Sequence, residues 1–470
     1  MSNTTKASDA TLIAEDAGIE PVNESVRFGR PSNQFTIRFA PVIYLAPIFL
    51  GAVGIPLGLG LFGTLSAILI ANILAAIGAG LCATMGPRFG MPQLAMGRSV
   101  FGYRGNYLPS IFASILFIGY FGIGTAVGGQ SLQDLLKLPY IPMAILIGIL
   151  SIALAMYGYK LLHFFGIWVT RISIVALIVV TFLAVQHDAG TSGQALLSGS
   201  KYWLVWTLQF SIVFSFSVSW SLYASDYSRY LPSATSSVKI FLWAASGLFV
   251  GSTWMMGLGA LLASLTSEGN VMLGFSSILS PMILTVVLLS FAAASITHNA
   301  VNLYSCAMTC LAWDLPLKRS ATVVLCGVIG TAFAVIFGGS DFQDHFNSFL
   351  MVMSYFILPW LAIRIMDHYW KHRSDTAPID QFCKKDGAFK GVRWPGMIAF
   401  LVAIAASVPF MVTDIFIGPA AKALGGADVS YVISFAVAAI LYGILEKSYS
   451  LETRTYIPKG EPVFVTTSND

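Results

Sequence analysis

The chain has 470 residues, of which 56% are hydrophobic and only 10% are charged, and its net charge is +4. Soluble domains carry about 25% charged residues, so this composition excludes a protein of one or two soluble domains and indicates an integral membrane protein. The small net charge gives no case for a nucleic-acid partner, and five scattered cysteines are too few for a disulfide or zinc framework.

The chain begins with a polar segment, residues 1–38, which contains five acidic residues from Asp9 to Glu24. This segment lacks the apolar stretch of a cleaved signal peptide. The sequence therefore predicts a mobile cytoplasmic tail.

Twelve apolar segments follow, most of them about 20 residues long, the length that a helix needs to cross about 30 Å of hydrocarbon. A transmembrane barrel would show short alternating segments instead. The sequence therefore predicts an all-α integral membrane protein with twelve transmembrane helices, spans one to twelve. Their predicted bounds are 39–61, 64–86, 107–130, 141–159, 163–185, 203–231, 239–265, 282–312, 321–338, 346–367, 394–415 and 428–446.

The lysine and arginine residues predict the orientation of these spans. Only Lys137, Lys201 and Lys422 fall in loops on one side, and the other 23 of the 26 basic residues lie in the tails, the opposite loops or the helix ends beside them. Loops rich in Lys and Arg stay on the cytoplasmic side. We therefore expect a multi-pass protein of the plasma (cytoplasmic) membrane with both termini in the cytoplasm.

Span one contains several helix breakers, among them Pro41, Pro47 and Pro56. Each proline removes a backbone donor and clashes with the carbonyl one turn back, so a continuous helix is not expected here. An alternative explanation of the small residues is close helix packing through Gly54 and Gly58.

Span six ends with the stretch VSWSLYASDYSRYLP, Val218 to Pro232, which places two charged residues within the apolar segment. The segment is too long for one straight crossing. We predict a break near Ser219, followed by an inner half-helix of about a dozen residues. Asp226 and Arg229 are three residues apart on that half-helix, so they can form an ion pair. We expect this pair to have a gating or a structural role.

Polar and aromatic residues of three spans fall at the same depth, near the middle of the membrane. Tyr120 marks the midpoint of span three, and Trp220 follows the predicted break in span six. Each polar group alone is explained by a hydrogen bond between helices. Together, the rings and the amide and imidazole groups form a slot for a flat, polar heteroaromatic molecule. The polar residues of span eight at this depth are Thr297, His298, Asn299 and Asn302.

The spacing of the spans predicts the domain organisation. Ten spans, residues 39–367, are separated by a cytoplasmic loop, 368–393, from two further spans, 394–446, and a C-terminal tail, 447–470. Ten spans with breaks in the first and sixth are typical of a transporter built from two inverted five-helix repeats. The predicted repeats cover about 39–185 and 203–367.

No catalytic motif of the HExxH, Walker A, GxSxG or CxxC type occurs in the sequence. Cys306 and Cys310 share a helix face, but the further ligands of a metal site are not evident from the sequence, and ordinary helix packing accounts for the two thiols. The sequence therefore predicts neither an enzyme nor a bound cofactor.

Four motifs resemble the nucleobase-cation-symport-1 family, in particular its purine-cytosine permease branch. The stretch SWSLYASDYSRYLP resembles the family's span-six signature, GYFGIGTAVGGQ its span-three pattern, and VNLYS its span-eight motif. RSVFGYRGNYLPS is similar to the loop between spans two and three. The resemblance extends from Arg30 to the twelfth span.

This resemblance implies a LeuT-like fold with broken helices 1 and 6, plus two C-terminal helices. It also implies uptake of a nucleobase, such as cytosine or a purine, with a cation. Tyr120 stands where relatives usually have tryptophan, His298 where they often have asparagine, and Gly124 where they often have an amide. The substrate could instead be allantoin, a hydantoin, hydroxymethylpyrimidine or a vitamin-like ring, and a membrane receptor or enzyme is a more distant alternative. The implied substrate-binding residues are Trp220, Tyr120, Asn302, His298, Asn299, Ser219 and Gly124.

The co-transported cation is H⁺ or Na⁺. Sodium-coupled relatives bind the ion between carbonyls of span one and hydroxyl groups of span eight, for which Thr297 and Ser295 are the candidates. A proton could be carried by His298, whose ordinary pKa is about 6.5, or by Asp226, and we slightly prefer the proton. The predicted gating residues are Asp226, Arg229 and Gln130.

Overall fold

A computed structural model describes residues 18–157, 159–187, 194–339, 342–371, 379–387, 389–413 and 416–453. Each of the twelve predicted segments contains a helix. Within the described residues, nine spans are long and apolar enough to cross a membrane, counting the two halves of span one together, and spans four, eleven and twelve are shorter apolar helices. The helices are Asn33–Val42 with Leu45–Ala52, Gly60–Phe89, Tyr107–Leu136, Tyr140–Tyr157, Tyr159–Gln186, Gly199–Ser228, Ser237–Ser264, Pro281–Ala312, Arg319–Phe337, Phe342–Lys371, Trp394–Phe410 and Ser430–Thr453.

The predicted break in span one is confirmed. Its two helices meet at an angle of 70°, and Tyr44 between them is fully extended, with φ −152° and ψ 179°. Pro47 explains the position of the break, because in a continuous helix its ring would clash with the carbonyl of Ile43, four residues earlier. In the separate second helix, Pro47 lies in the first turn, where a missing N–H is tolerated.

The predicted break in span six is also confirmed, but it is milder. The α-helix ends at Val218, continues as a 3₁₀ stretch, Ser219–Tyr223, and resumes as a short helix, Ala224–Ser228. The expected inner half-helix of a dozen residues is therefore only five residues long. Gly199–Ser228 therefore counts as one continuous span that tightens locally, whereas span one consists of two helices at 70°.

The spans pack in two groups of four. Spans one, two, six and seven form the first group, in which span two contacts the other three spans, and spans three, four, eight and nine form the second group. Each half of the inverted repeat contributes two helices to each group. Span five lies against span eight, span ten against span six, and spans eleven and twelve pack on each other and on span ten.

Glycines let spans one and seven approach closely. A Cβ atom at Gly51 would lie 1.8 Å from Met256 O, and a Cβ atom at Gly259 would lie 1.8 Å from Ile48 O. Gly54 and Gly58, the pair suggested as an alternative by the sequence, lie beyond the end of the helix at Ala52, so they are not a pair on one helix face. Gly54 donates its N–H to Gln209 Oε1 of span six over 2.7 Å.

The predicted mobile tail is wrong for residues 18–32, which pack against the bundle. Val22 is buried and its N–H donates to Gly90 O over 3.0 Å, and Phe28 N–H donates to Tyr230 O over 2.7 Å. Together with the connector 90–106 and the segments 379–387 and 389–393, residues 18–32 form one end of the bundle, here called the N-terminal face.

Other predicted boundaries also shift. Span one starts at Asn33 instead of residue 39, and the helix of span twelve continues to Thr453, past the predicted start of the C-terminal tail. Two short helices, Val271–Ile278 and Pro419–Ala423, lie in connectors that the sequence left without structure. Residues 1–17, 372–378 and 454–470 of the predicted tails and loop lie outside the described residues.

Candidate substrate site

Side chains of both breaks and of spans three and eight lie close together: the His298 ring contacts Tyr44 and Tyr120, Trp220 directly follows Ser219, which bonds to Tyr120, and Asn302 lies one helical turn after His298. We call this group the central site: Tyr44, Tyr120, Trp220, His298 and Asn302. Each is between 1% and 4% exposed, so the site is closed in this conformation. A polar molecule could enter it only after the helices around it move.

His298 connects span eight to the break in span one. Its Nδ1 lies 3.0 Å from Pro41 O, a carbonyl that in an unbroken helix would accept from the N–H of residue 45. Because a carbonyl only accepts, Nδ1 carries the hydrogen and Nε2 of the neutral ring is an acceptor. Nε2 is buried and has no hydrogen-bond partner among the described residues.

Tyr44, which lies in the span-one break, packs on the imidazole ring of His298. Its ring is stacked on His298, with centroids 4.2 Å apart and planes inclined by 23°. Its hydroxyl is buried without a partner in the described chain. The extended backbone at the break places this side chain, and the sequence analysis missed it because an aromatic residue in an apolar span gives no distinct signal.

Tyr120 holds the break in span six through its hydroxyl. Its hydroxyl donates to Ser219 Oγ over 2.8 Å, and Ser219 Oγ in turn donates to Phe216 O over 2.6 Å. Its ring meets His298 edge-on, with centroids 6.5 Å apart and planes inclined by 86°. Tyr120 therefore fixes the start of the 3₁₀ stretch and forms an edge of the site.

Trp220 is the second residue of the 3₁₀ stretch. Its ring contacts Tyr223 at 4.7 Å between centroids, with an interplanar angle of 53°. Both rings are buried. The local tightening of span six thus presents two aromatic side chains of the same short segment to the interior.

Asn302 lies one helical turn after His298. Its amide Nδ2 is buried and has no hydrogen-bond partner among the described residues. Together with Tyr44 and His298, it gives the site three buried polar groups without partners: a hydroxyl, an imidazole acceptor and an amide donor. Each such group costs about 1–3 kcal/mol when left unpaired, so the arrangement favours a polar ligand.

Asn299 and Gly124 form a contact between helices. The Asn299 amide lies 2.9 Å from Thr125 Oγ1 and 3.3 Å from Ser151 Oγ, which connects span eight to spans three and four. A Cβ atom at Gly124 would lie 2.1 Å from the Asn299 side chain. Gly124 therefore makes room for Asn299, and the amide has the hydrogen bonds between helices that the sequence analysis considered as its alternative role.

The two hydroxyl residues proposed for sodium point in different directions. Thr297 Oγ1 donates to Ala293 O over 3.2 Å, and its methyl group faces Gly166 of span five. Ser295 is buried beside Gly128 of span three, and its hydroxyl has no partner among the described residues. Residues two apart on a helix are separated by about 200° around its axis, so the structure does not bring these hydroxyls together.

The expected pairing of Asp226 with Arg229 is wrong within the described part of the chain. Asp226 Oδ1 accepts from the backbone N–H of Gln93 over 2.9 Å. Arg229 donates to Gly18 O and to the Tyr230 hydroxyl, both over 2.7 Å. The two charges therefore fasten span six to two different parts of the N-terminal face.

Gln130, the third predicted gating residue, lies near the far end of span three. Its Nε2 donates to Gly338 O over 3.3 Å, at the end of span nine. The contact joins two helices of the same group, and it is remote in sequence from the charged pair of span six.

Arg38 is a buried residue that the sequence analysis missed. It is 1% exposed, its Nη2 donates to Ala224 O over 2.8 Å, and its Nη1 donates to Gln34 Oε1 over 2.7 Å. A carbonyl just after the 3₁₀ stretch of span six is thus satisfied by an arginine of span one. In the sequence, Arg38 looked like an ordinary basic residue at a membrane boundary.

The chain is similar to known permeases. Residues 21–434 match a family model described as permease for cytosine/purines, uracil, thiamine, allantoin. A Bacillus subtilis protein that carries the name purine-cytosine permease YxlA is 28% identical over 449 residues, which cover 93% of this chain and 96% of that protein. The purine-cytosine permease FCY2 of Saccharomyces cerevisiae is 26% identical over 470 residues, covering 93% and 86%.

Among solved structures, the chain is similar to MHP1, a nucleobase-cation-symport-1 family transporter in a closed conformation with bromovinylhydantoin bound. The TM-score is 0.78 at 17% identity, and the match covers 94% of this chain and 97% of that one. This likeness confirms the predicted fold.

Proposed function

Because the chain belongs to the nucleobase-cation-symport-1 family of permeases for cytosine/purines, uracil, thiamine and allantoin, we propose that it takes up a nucleobase with a cation. The protein is a multi-pass membrane transporter of the nucleobase type and not an enzyme. The substrate is cytosine or a purine, and the cation is a proton. Transport proceeds by alternating access, in which one group of four helices moves relative to the other around the central site.

The observation that carries this proposal is the set of unpartnered polar groups beside aromatic rings. A nucleobase is a flat ring with donors and acceptors at its edge. A ring N–H can donate to His298 Nε2, a ring carbonyl or nitrogen can accept from Asn302 Nδ2, and the Trp220 ring supplies a face for stacking. No described side chain of the central site supplies a formal positive or negative charge when His298 is neutral, which suits a neutral base.

Proton coupling is supported by the position of His298. The imidazole can take up a proton at Nε2 while it keeps its Nδ1–H on Pro41 O, so protonation does not disturb the break in span one. The neutral Nε2 accepts from a ring N–H of the base, whereas the protonated Nε2 donates to a ring carbonyl or nitrogen, so the base turns a different edge to the ring when the proton is bound. The same bond engages a span-one carbonyl that a sodium ion would need, and Thr297 and Ser295 point apart. Sodium would therefore require a rearrangement that a proton does not.

The orientation is part of the proposal. We propose that the N-terminal face lies in the cytoplasm of the cell, because the Lys and Arg residues concentrate at that end. Asp226, Arg229 and the packed residues 18–32 then close the cytoplasmic side in the present conformation. Opening of that side requires the contact of Arg229 with Gly18 O to separate.

Uptake in proteoliposomes tests the proposal. Labelled cytosine or adenine is supplied with an inward proton gradient, an inward sodium gradient, or neither. We expect the proton gradient alone to drive accumulation and His298→Gln to abolish that accumulation while substrate exchange continues. Accumulation that follows sodium and ignores pH would disprove proton coupling, and a lack of uptake for every base would disprove the substrate class.

A second substrate class is favoured by two features of the site. Tyr120 and Gly124 replace the tryptophan and the amide that the family often has, and Tyr120 uses its hydroxyl for Ser219 instead of widening a stacking wall. Such a site could suit another small ring, such as allantoin, a hydantoin, hydroxymethylpyrimidine or a vitamin-like compound. Competition of labelled cytosine uptake by a panel of these rings separates the two classes.

A further inference from the structure

Three of the five cysteines come together between spans eight and nine. Cys306 and Cys310 lie on one face of span eight, and Cys326 of span nine supplies a third thiol beside them. The three sulfur atoms all lie within 4.8 Å of one another, and the residues are at most 4% exposed. The sequence analysis identified the first two residues, but the third is brought to them only by the packing of the two helices.

The spacing of these sulfur atoms matches a three-thiolate metal site. A zinc–sulfur bond is about 2.3 Å long, so three sulfurs around one ion in a plane are about 4.0 Å apart. Cys306 Sγ and Cys326 Sγ are 3.4 Å apart, and no pair exceeds 4.8 Å. We propose that Cys306, Cys310 and Cys326 form a binding site for one soft metal ion, such as Zn²⁺, Cd²⁺ or Cu⁺.

The surroundings provide hydrogen-bond donors for the charge that such binding creates. Three thiols that bind a divalent ion release three protons and leave a net charge of −1. Ser114 Oγ lies 3.7 Å from Cys310 Sγ, and Trp313 Nε1 donates to Ser114 Oγ over 3.2 Å. The Ser114 hydroxyl also lies 3.0 Å from Ser110 O, so its hydrogen can turn from that carbonyl to the thiolate.

The cysteine cluster lies close to the N-terminal face. Cys310 is two residues before the end of span eight, and Asp314, just beyond it, is paired with Arg98 and Lys385. An ion that enters from this face has to pass the last turn of span eight, so binding requires local opening of that turn.

Ordinary packing of cysteine as a small apolar residue explains burial, but it does not require three sulfurs from two helices to converge. Spans eight and nine belong to the same group of four helices. An ion that joins them stiffens that group without blocking its movement against the other group. We therefore expect the metal to raise thermal stability and to leave nucleobase uptake nearly unchanged.

Metal titration of the purified full-length protein, reduced and kept under nitrogen, tests the proposal. The probe is Cd²⁺ alone, and the readouts are the thiolate-to-metal charge-transfer absorption and the melting temperature. We expect one Cd²⁺ per chain, a rise in melting temperature on binding, and tighter binding at higher pH, because the thiols must lose protons. X-ray absorption of the Zn²⁺ form should show three sulfur neighbours at about 2.3 Å.

Single substitutions assign the ligands. Cys326→Ser and Cys310→Ser should each weaken Cd²⁺ binding more than about 10-fold, the lower limit for disturbing the environment of a metal. Cys383→Ser and Cys82→Ser, which remove thiols outside the cluster, should bind like the wild type. Size-exclusion chromatography checks folding, and Cys306→Ala is the replacement if one serine variant does not fold. Wild-type protein without stoichiometric charge-transfer absorption, or Cys326→Ser binding as tightly as wild type, would overturn the site.

Discussion

The breaks in spans one and six, which both border the central site, have different physical causes. Span one turns by 70° at a position where Pro47 excludes a continuous helix, so its break follows from the covalent structure of the chain. The break in span six contains neither proline nor glycine between Val218 and Ser228. It is held by side chains of other helices: Tyr120 at its start and Arg38 at its end.

This contrast shows how a site can combine a fixed part and an adjustable part. The span-one break exposes Pro41 O and positions Tyr44 through its backbone geometry, and His298 then contacts both. The span-six break depends on contacts that change when the helices move, so the orientation of Trp220 is coupled to the conformation of the whole bundle. We infer that span six is the part of the site that responds during transport.

The largest effect is expected from removing the ring that the span-six break presents. Trp220→Ala should lower substrate affinity about 10- to 100-fold, because a base stacked on an aromatic ring contributes about 1–3 kcal/mol. The fold should persist, since Trp220 holds no buried charge. Equilibrium binding of labelled base in detergent measures the loss. Trp203→Ala, an exposed residue of the same span, is the control, and unchanged affinity of Trp220→Ala would refute the assigned site.

Arg38→Met is the next test, because it removes the support at the end of the span-six break. It deprives Ala224 O and Gln34 Oε1 of their donor, at a cost of about 1–3 kcal/mol for each unpaired group. Hydrogen exchange should accelerate in residues 219–228 and stay unchanged around Tyr44. Arg30→Met removes an exposed arginine and should change neither segment. Equal acceleration at both breaks would mean that the span-one break also depends on outside contacts.

Pro47→Ala tests the opposite half of the comparison. With the proline gone, the second helix of span one can extend toward Ile43, so amide exchange at residues 43–46 should slow. The variant should change the free energy of unfolding by only about 0.4–1 kcal/mol, since the position tolerates proline at present. Exchange in residues 219–228 should not respond. Pro395→Ala, at the start of span eleven, is a matched control.

The smallest effect is expected from Asp314, which is remote from both breaks. Burial raises the pKa of Asp314, but hydrogen bonds from Tyr107 and Tyr103 and the nearby Lys385 outweigh it, so the pKa lies below its ordinary value. A lowered carboxyl pKa stabilises the folded state above about pH 4, and this contribution is lost as the pH falls further.

Asp314→Asn should therefore lower the melting temperature at pH 7 by a few degrees, and the two proteins should converge near pH 3. The exposed Asp386→Asn should match the wild type across the range. A difference between Asp314→Asn and the wild type that stays constant down to pH 3 would show that the carboxylate charge is not responsible.

The sequence predicted the parts of the molecule that depend on local composition. Apolar segments of about the length needed to cross a membrane predicted the twelve helices, and prolines predicted the break in span one. The span-six break was predicted near Ser219 from segment length, but its partners were not, because Arg38 is 186 residues away from Ala224. Asn299 and Asn302 looked equivalent in the sequence. The structure distinguishes them, since the Asn299 amide bonds to neighbouring helices, whereas the Asn302 Nδ2 has no partner in the described part of the chain.

By itself, then, the sequence determined the helical class, the number of spans, the family and the depth at which polar groups collect, because these follow from hydropathy, spacing and motifs along one chain. Only the tertiary structure decided which of those groups face one another. It engaged His298 with Pro41 O, turned Tyr120 toward Ser219, separated Asp226 from Arg229 and brought Cys326 to the thiols of span eight. Each of these contacts joins residues that are distant in sequence or depends on the rotation of one helix against another, and periodicity along a single helix does not encode that rotation.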